Sequence, residues 1–194
     1  FDPDTLRYYL GINMPENHDT DFNWPDFVEK INSELNGTYG NYVNRVMSLG
    51  NKLGGDNPLY IHDDLERCTE EIQRLEEIYV QVTQSLNRHR YKEALRHVMS
   101  AAQYGNQMIQ KAVPWQYLSE PGPSDSTEYS DERSQSLSKL AFGWRLARFL
   151  AITSHPFLPF SAQRLWSMLG QTGNVSDVLY ASATDWNTPI TWSN

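Results

Sequence analysis

The sequence is short of the features that usually announce catalysis or membrane anchoring. Its 194 residues contain one cysteine, Cys68, which excludes an internal disulfide framework and any thiolate-rich zinc site. A reduced, cytoplasmic setting is therefore expected. No apolar run approaches the roughly 20 residues that a membrane-spanning helix needs. Glycine-rich phosphate loops are missing: there is no G-x-G-x-x-G, no G-x-x-x-x-G-K-[ST] and no G-x-S-x-G, so the common nucleotide and nucleophile motifs are excluded. The histidines, His18, His62, His89, His97 and His155, never fall in H-E-x-x-H spacing, and no metal site is expected. The acids between Glu70 and Glu77 read as the solvent face of a helix, and no catalytic residue is assigned. Positive charge is also in deficit, with 16 Lys and Arg against 24 Asp and Glu, a net −8. That balance argues against a uniformly basic nucleic-acid-binding surface. The first residue is Phe1 and no basic stretch precedes an apolar one, so no secretory leader is expected and the chain reads as a piece of something longer.

What is present is helical period. Asp2-Pro3 is a start signal, a capping residue followed by proline in the first turn, and Leu6, Tyr9 and Leu10 give a short apolar stripe. Residues 11–22 read as a connection. Asn23, with Asp26 three residues on, opens a second helix whose apolar residues Phe27, Ile31, Leu35, Tyr39, Tyr42, Val46, Leu49 and Leu53 are three or four apart. Gly54-Gly55 ends it. Leu65, Cys68, Ile72, Leu75, Tyr79, Val82 and Leu86 form the seam of a third helix capped by Asp63 or Asp64. A fourth runs from about Tyr91 to before Pro114. Gly105 falls on its stripe, where a missing side chain lets a neighbouring helix come close. Residues 119–130 read as a loop, Leu137 to Ala151 as a fifth helix broken at Pro156, and 160–169 as a short sixth stopped by Gly170. The expected fold is an all-α antiparallel bundle of five to six helices. Its organisation is a connector helix and loop over 1–22, a bundle over 23–170, and an irregular tail over 171–194 packed on the bundle as a loop or edge strand.

Charge is segregated along this frame. Between Asp56 and Tyr79 eight acids face two bases, whereas between Leu86 and Val113 five bases face the single acid Glu93. One reading is two solvated helix faces of opposite sign. Two other constellations point toward recognition. Asn41 and Arg45 are four apart, so they project from one side of a helix with about 5–6 Å between their Cβ atoms. An amide and a guanidinium there suit base edges, or equally the holding of a neighbouring helix. Pro114-Trp115 closes the most basic helix, where an indole near Arg88, Arg90, Arg96 and Lys111 could stack on an unpaired base, or sit under a loop as core.

The ordered series of motifs resembles the C-terminal anticodon-binding domain of methionyl-tRNA synthetases, which are class I aminoacyl-tRNA synthetases. The matching elements are Phe1-Asp2-Pro3-Asp4-Thr5-Leu6-Arg7-Tyr8-Tyr9-Leu10, Asp19-Thr20-Asp21-Phe22-Asn23-Trp24, Asn32, Asn41-x-x-x-Arg45, Asn106, Pro114-Trp115 and His155-Pro156-Phe157-Leu158-Pro159. They run in family order across nearly the whole chain. The resemblance implies a helical bundle that reads the CAU anticodon of methionine tRNAs. Asn41 and Arg45 would bond anticodon bases, Trp115 would stack on the first of them, and Pro114 would hold that indole. Arg88, Arg90, Arg96 and Lys111 would contact loop phosphates. Neither the HIGH nor the KMSKS motif occurs. ATP with magnesium, and zinc, are thus implied only for a catalytic region outside this chain, which would be the domain's second partner beside the anticodon stem-loop. The tyrosines at 39 and 42 depart from the more familiar bacterial members. Two alternatives share the helical reading: a sibling synthetase for valine, isoleucine, leucine or cysteine, and a protein–protein module docking through its acidic face.

Overall fold

Asp2 caps the first helix, α1 (Pro3–Ile12), by accepting the Asp4 amide at 2.9 Å. Asn23 does the same for α2 (Trp24–Lys30) through the Asp26 amide. These are two of the chain's sequence-readable starts, and both helices place a proline in the first turn, where its missing N–H costs nothing. The computed structural model describes residues 2–16, 19–52, 64–118 and 127–190, without the side chains of 127–130. Gly54-Gly55, Asp63 and part of the 119–130 loop lie outside the described residues.

Six rods make up the fold among the described residues. After α1, the second rod is α2, a wide-turned π-helical stretch (Ile31–Gly40) and α3 (Asn41–Lys52) in unbroken succession. Then come α4 (Thr69–Asn87), α5 (Tyr91–Ala112), α6 (Thr127–Ser154) and α7 (Pro159–Met168). No strand occurs among the described residues, and the architecture is the all-α bundle that the apolar spacing predicts. Asp64 accepts the amides of Glu66 and Arg67 and so caps a 3₁₀ turn, Glu66–Cys68, that leads into α4, whose own start has no side-chain cap. His89, with φ 57°, turns the chain between α4 and α5 into a helical hairpin. Gly170 stops α7 at φ 69°, a left-handed conformation that glycine adopts without strain.

Three expectations are corrected. On α1 the stripe is rotated: Leu6 and Leu10 are exposed, while Asp4, Tyr8, Tyr9 and Ile12 face inward. Polar pairing decides this, because Tyr8 donates to Glu34 Oε2 at 2.5 Å and Asp4 Oδ2 accepts the Ser161 amide. The second rod is not uniformly α-helical, since ten of its residues bond with wider turns. Composition also hid the start of α6, which begins at Thr127 rather than after residue 130. Of the two readings of the tail, the described residues 171–190 take the loop, with 3₁₀ turns at Val175–Asp177 and Tyr180–Thr184.

That tail explains why α6 is buried all round, from Leu137 through Ser154 with few interruptions. Arg145 and Arg148 on α6 donate to the carbonyls of Thr188 and Ser182. Trp186 packs on Phe142 and Phe149 and bonds Glu76 Oε1 of α4 at 3.2 Å. With the tail strapped over it, α6 becomes the axis on which α3, α4, α5 and α7 rest.

Candidate nucleic-acid interface

The site begins with a side chain that cannot touch solvent. Tyr42 is fully buried, and its ring lies where Gly105 of α5 leaves room: a Cβ on Gly105 would stand 2.4 Å from the Tyr42 ring. The Tyr42 hydroxyl donates to the Gly143 carbonyl of α6 at 2.6 Å. Burial holds this phenol far above its ordinary pKa, and pushes that of neighbouring Tyr39 up to about 12, so both stay neutral near neutral pH. Tyr42 thereby pins α3 against α5 and α6 at one register.

Asn41 and Arg45 flank this anchor, and the register brings both to α5. Asn41 Nδ2 donates to Asn106 Oδ1 at 2.9 Å. Arg45 Nη1 donates to the Asn106 carbonyl at 3.3 Å and Nη2 to Gln110 Oε1 at 2.9 Å. Asn106 is the hub, since its own amide group donates to the Thr38 carbonyl at the end of the π-helical stretch and to Ala102. The i,i+4 pair therefore does hold a neighbouring helix, as one sequence reading had it, and still faces solvent.

The indole reaches the same place from the end of α5. After Ala112, Val113 adopts φ 44° and ψ 45°, a left-handed conformation that is strained for a β-branched residue. Pro114 is buried and opens a single 3₁₀ turn, Pro114–Tyr117. Trp115 leaves this turn 39% exposed, with the Arg45 guanidinium 5.9 Å from its ring centre, within cation–π range. An open hollow of about 450 Å³ adjoins them, lined by Arg45, Asn106, Gln107, Gln110 and Lys111.

Of the four cations expected beside the indole, the structure brings only Lys111 there. Arg88 and Arg90 lie at the opposite end of α5, whose 22 residues span about 33 Å at 1.5 Å per residue. Arg90 also pairs with Glu93 at 3.5 Å. Arg96 sits between the two ends. Asn106 and Gln110, which orient the arginine, were not found by reasoning on residue types. Their signal was a second, polar stripe on α5, beside the apolar one that carries Gly105.

The model for tRNA synthetases class I (M) matches residues 1–47, which take in α1, the π-helical stretch, Asn41 and Arg45. A methionine–tRNA ligase from Methanopyrus kandleri is 32% identical over 187 residues, covering 95% of this chain and 25% of that protein. One from Cytophaga hutchinsonii is 36% identical over 172 residues, covering 88% of this chain and 23% of that protein. The chain belongs to the methionyl-tRNA synthetase family. It spans about a quarter of the length of the curated relatives it matches. A Mycobacterium tuberculosis methionyl-tRNA synthetase in complex with methionyl-adenylate has the same fold over 97% of this chain and 35% of its own, with a TM-score of 0.71 at 18% identity. The described residues offer no donor set for the zinc that this synthetase family implies. Among the described residues no three His, Cys, Asp or Glu converge as metal ligands, and Cys68 is buried with its thiol against the Ser138 carbonyl. Nor is any described helix long and apolar enough to cross a membrane.

Proposed function

We propose that this chain is the anticodon-reading part of a methionine–tRNA ligase. The reading is carried by one juxtaposition: the Arg45 guanidinium, at the edge of a solvent-open hollow, lies against the half-exposed Trp115 indole from another rod and shares the Asn106 hub with the Asn41 amide. In the mechanism, the anticodon loop of a methionine tRNA unstacks and its first base lies on Trp115. Asn41 and Arg45 bond the edges of CAU bases. Asn41 Oδ1 and Arg45 Nε complete the offer of acceptor and donor, since the bonds to α5 engage only Asn41 Nδ2 and the two Arg45 Nη atoms. Pro114 and the strained Val113 fix the direction of the indole. Lys111 neutralises a loop phosphate, and Arg96 one farther along α5. Arg88 and Arg90 would meet only RNA that extends along the whole helix. The domain contributes specificity without a reacting group of its own. ATP-dependent charging is the work of the catalytic part of the parent protein, which is the second partner of this domain.

Base stacking on an aromatic side chain is worth about 1–3 kcal/mol, and a good bidentate base contact about as much. Trp115→Ala should therefore weaken binding to a methionine anticodon stem-loop about tenfold or more. The deciding experiment measures that stem-loop and one with the first anticodon base changed, each with wild type and Trp115→Ala. Wild type should prefer CAU and the variant should lose both affinity and preference. Equal affinities across all four remove the proposal, and preference for another anticodon reassigns the domain to a sibling synthetase.

A further inference from the structure

A second polar hollow lies along α5 from the site just described, between α1, the second rod and the first half of α5, with a volume of about 410 Å³. Three cations line it: Lys30 at the end of α2, and Lys92 and Arg96 on α5. Thr38, Ser100 and Gln103 add hydroxyl and amide groups. In a chain with a net charge of −8, a hollow lined by three cations against one carboxylate among the described residues is locally positive.

The charges differ in how they are engaged. Lys30 is shared between Asp26 at 3.2 Å and Asn13. The side chains of Lys92 and Arg96 have no hydrogen bond or ion pair among the described residues. Glu34 is the one carboxylate lining the hollow, and it accepts the Tyr8 hydroxyl at 2.5 Å. Glu16, nearby, accepts the backbone amide of Lys92.

The hollow is also tied to the indole site by structure. Lys92, Arg96, Ser100, Gln103, Asn106 and Gln110 follow one another at steps of three or four, so they form one outward stripe of α5. Thr38, which lines the hollow, accepts the Asn106 amide that orients the readers. Arg96 stands about 15 Å along the helix from Asn106, ten residues at 1.5 Å each.

We propose that this hollow is a built phosphate site, taking a backbone phosphodiester of the same RNA whose bases enter the indole site. It rests on the anticodon reading for its partner and adds to it a fixed second point, with Lys92 and Arg96 as the binding cations and Lys30 as the third. Two anchored points on one helix face set the direction in which the strand crosses α5. Phosphate contacts of this kind set register and carry no sequence information.

The test uses the 194-residue chain, the methionine anticodon stem-loop and the stem-loop with its first anticodon base changed, titrated across a series of salt concentrations. The double variant Lys92→Gln/Arg96→Gln should bind both RNAs about tenfold more weakly, as expected for lost charge-assisted hydrogen bonds. Its log–log salt slope should be shallower by about 2, one for each lost phosphate contact, and the ratio between the two RNAs should stay at the wild-type value. Unchanged affinity and slope, while wild type still prefers CAU, would overturn the phosphate site and leave the anticodon reading standing. A collapse of the ratio would also overturn it, by making the pair part of base recognition. If wild type shows no preference, the anticodon reading fails; a shallower slope in the double variant then still supports a phosphate site, and an unchanged slope removes it. Added inorganic phosphate at constant ionic strength separates the sources. A diester site is displaced only weakly, whereas loss of RNA binding at low phosphate concentration would assign the hollow to the free ion.

Discussion

Along the inward face of α5, Leu95, Val98, Ala102, Gly105 and Ile109 are buried and fit their neighbours so closely that Gly105 has no room for a single carbon. About a third of a turn round the helix, Lys92, Arg96, Ser100, Gln103, Asn106 and Gln110 are partly or fully exposed. The inner face tolerates no adjustment, and the outer face is made of groups whose bonds can be exchanged for those of a ligand. The difference teaches where the accuracy of a polar surface comes from. Asn41 and Arg45 are held by polar bonds and by the Trp115 ring rather than by burial; their register on α5 comes from Tyr42, wedged between Gly105 and the Gly143 carbonyl.

The contrast can be broken most severely from the inside. Gly105→Ala places a carbon against a fully buried ring, and overpacking of this kind costs about 3 kcal/mol. Urea unfolding should show that loss, and the surviving folded fraction should bind the stem-loop more weakly although no reader has been changed. Tyr42→Phe keeps the shape and removes the bond to the Gly143 carbonyl, which keeps its helical partner within α6, for about 1 kcal/mol. Stability should fall while the preference between stem-loops is retained, which would separate holding from register. The smallest effect sharpens the comparison in the opposite sense. Val113→Gly relieves a left-handed β-branched residue but adds backbone freedom. The midpoint of unfolding should move up by less than about 1 kcal/mol equivalent, while stem-loop affinity falls a few-fold as the indole loses its fixed direction. A variant that gained both stability and affinity would show that the strain plays no part in aiming Trp115.

The bundle was largely legible because its rods are amphipathic or end in recognisable caps. Asn23, Asp64 and Gly170 act as their residue types predict, and Gly105 on an apolar stripe does mark a close crossing. Reading failed where partners from distant segments decide. The inward turn of Tyr8 and Asp4 depends on Glu34 and on residue 161, which no period in α1 can reveal. The all-round burial of α6 depends on a tail that has no period at all. The π-helical stretch was hidden because steps of four from Phe27 to Tyr39 suit both kinds of turn. At the site, pairing Arg88 and Arg90 with Trp115 treated a helix as a point, and the rise per residue sets them a whole helix length apart. The hub role of Asn106 required knowing that α3 crosses α5 at Gly105.

Arg45 enters any encounter already gripped at both terminal nitrogens by Gln110 and the Asn106 carbonyl. Such a side chain has few rotamers left to search, so little conformational freedom is lost when RNA arrives. The slow step of association would then belong to the nucleic acid, in the opening of its loop, and the rate of complex formation would follow the flexibility of that loop rather than any motion of the protein.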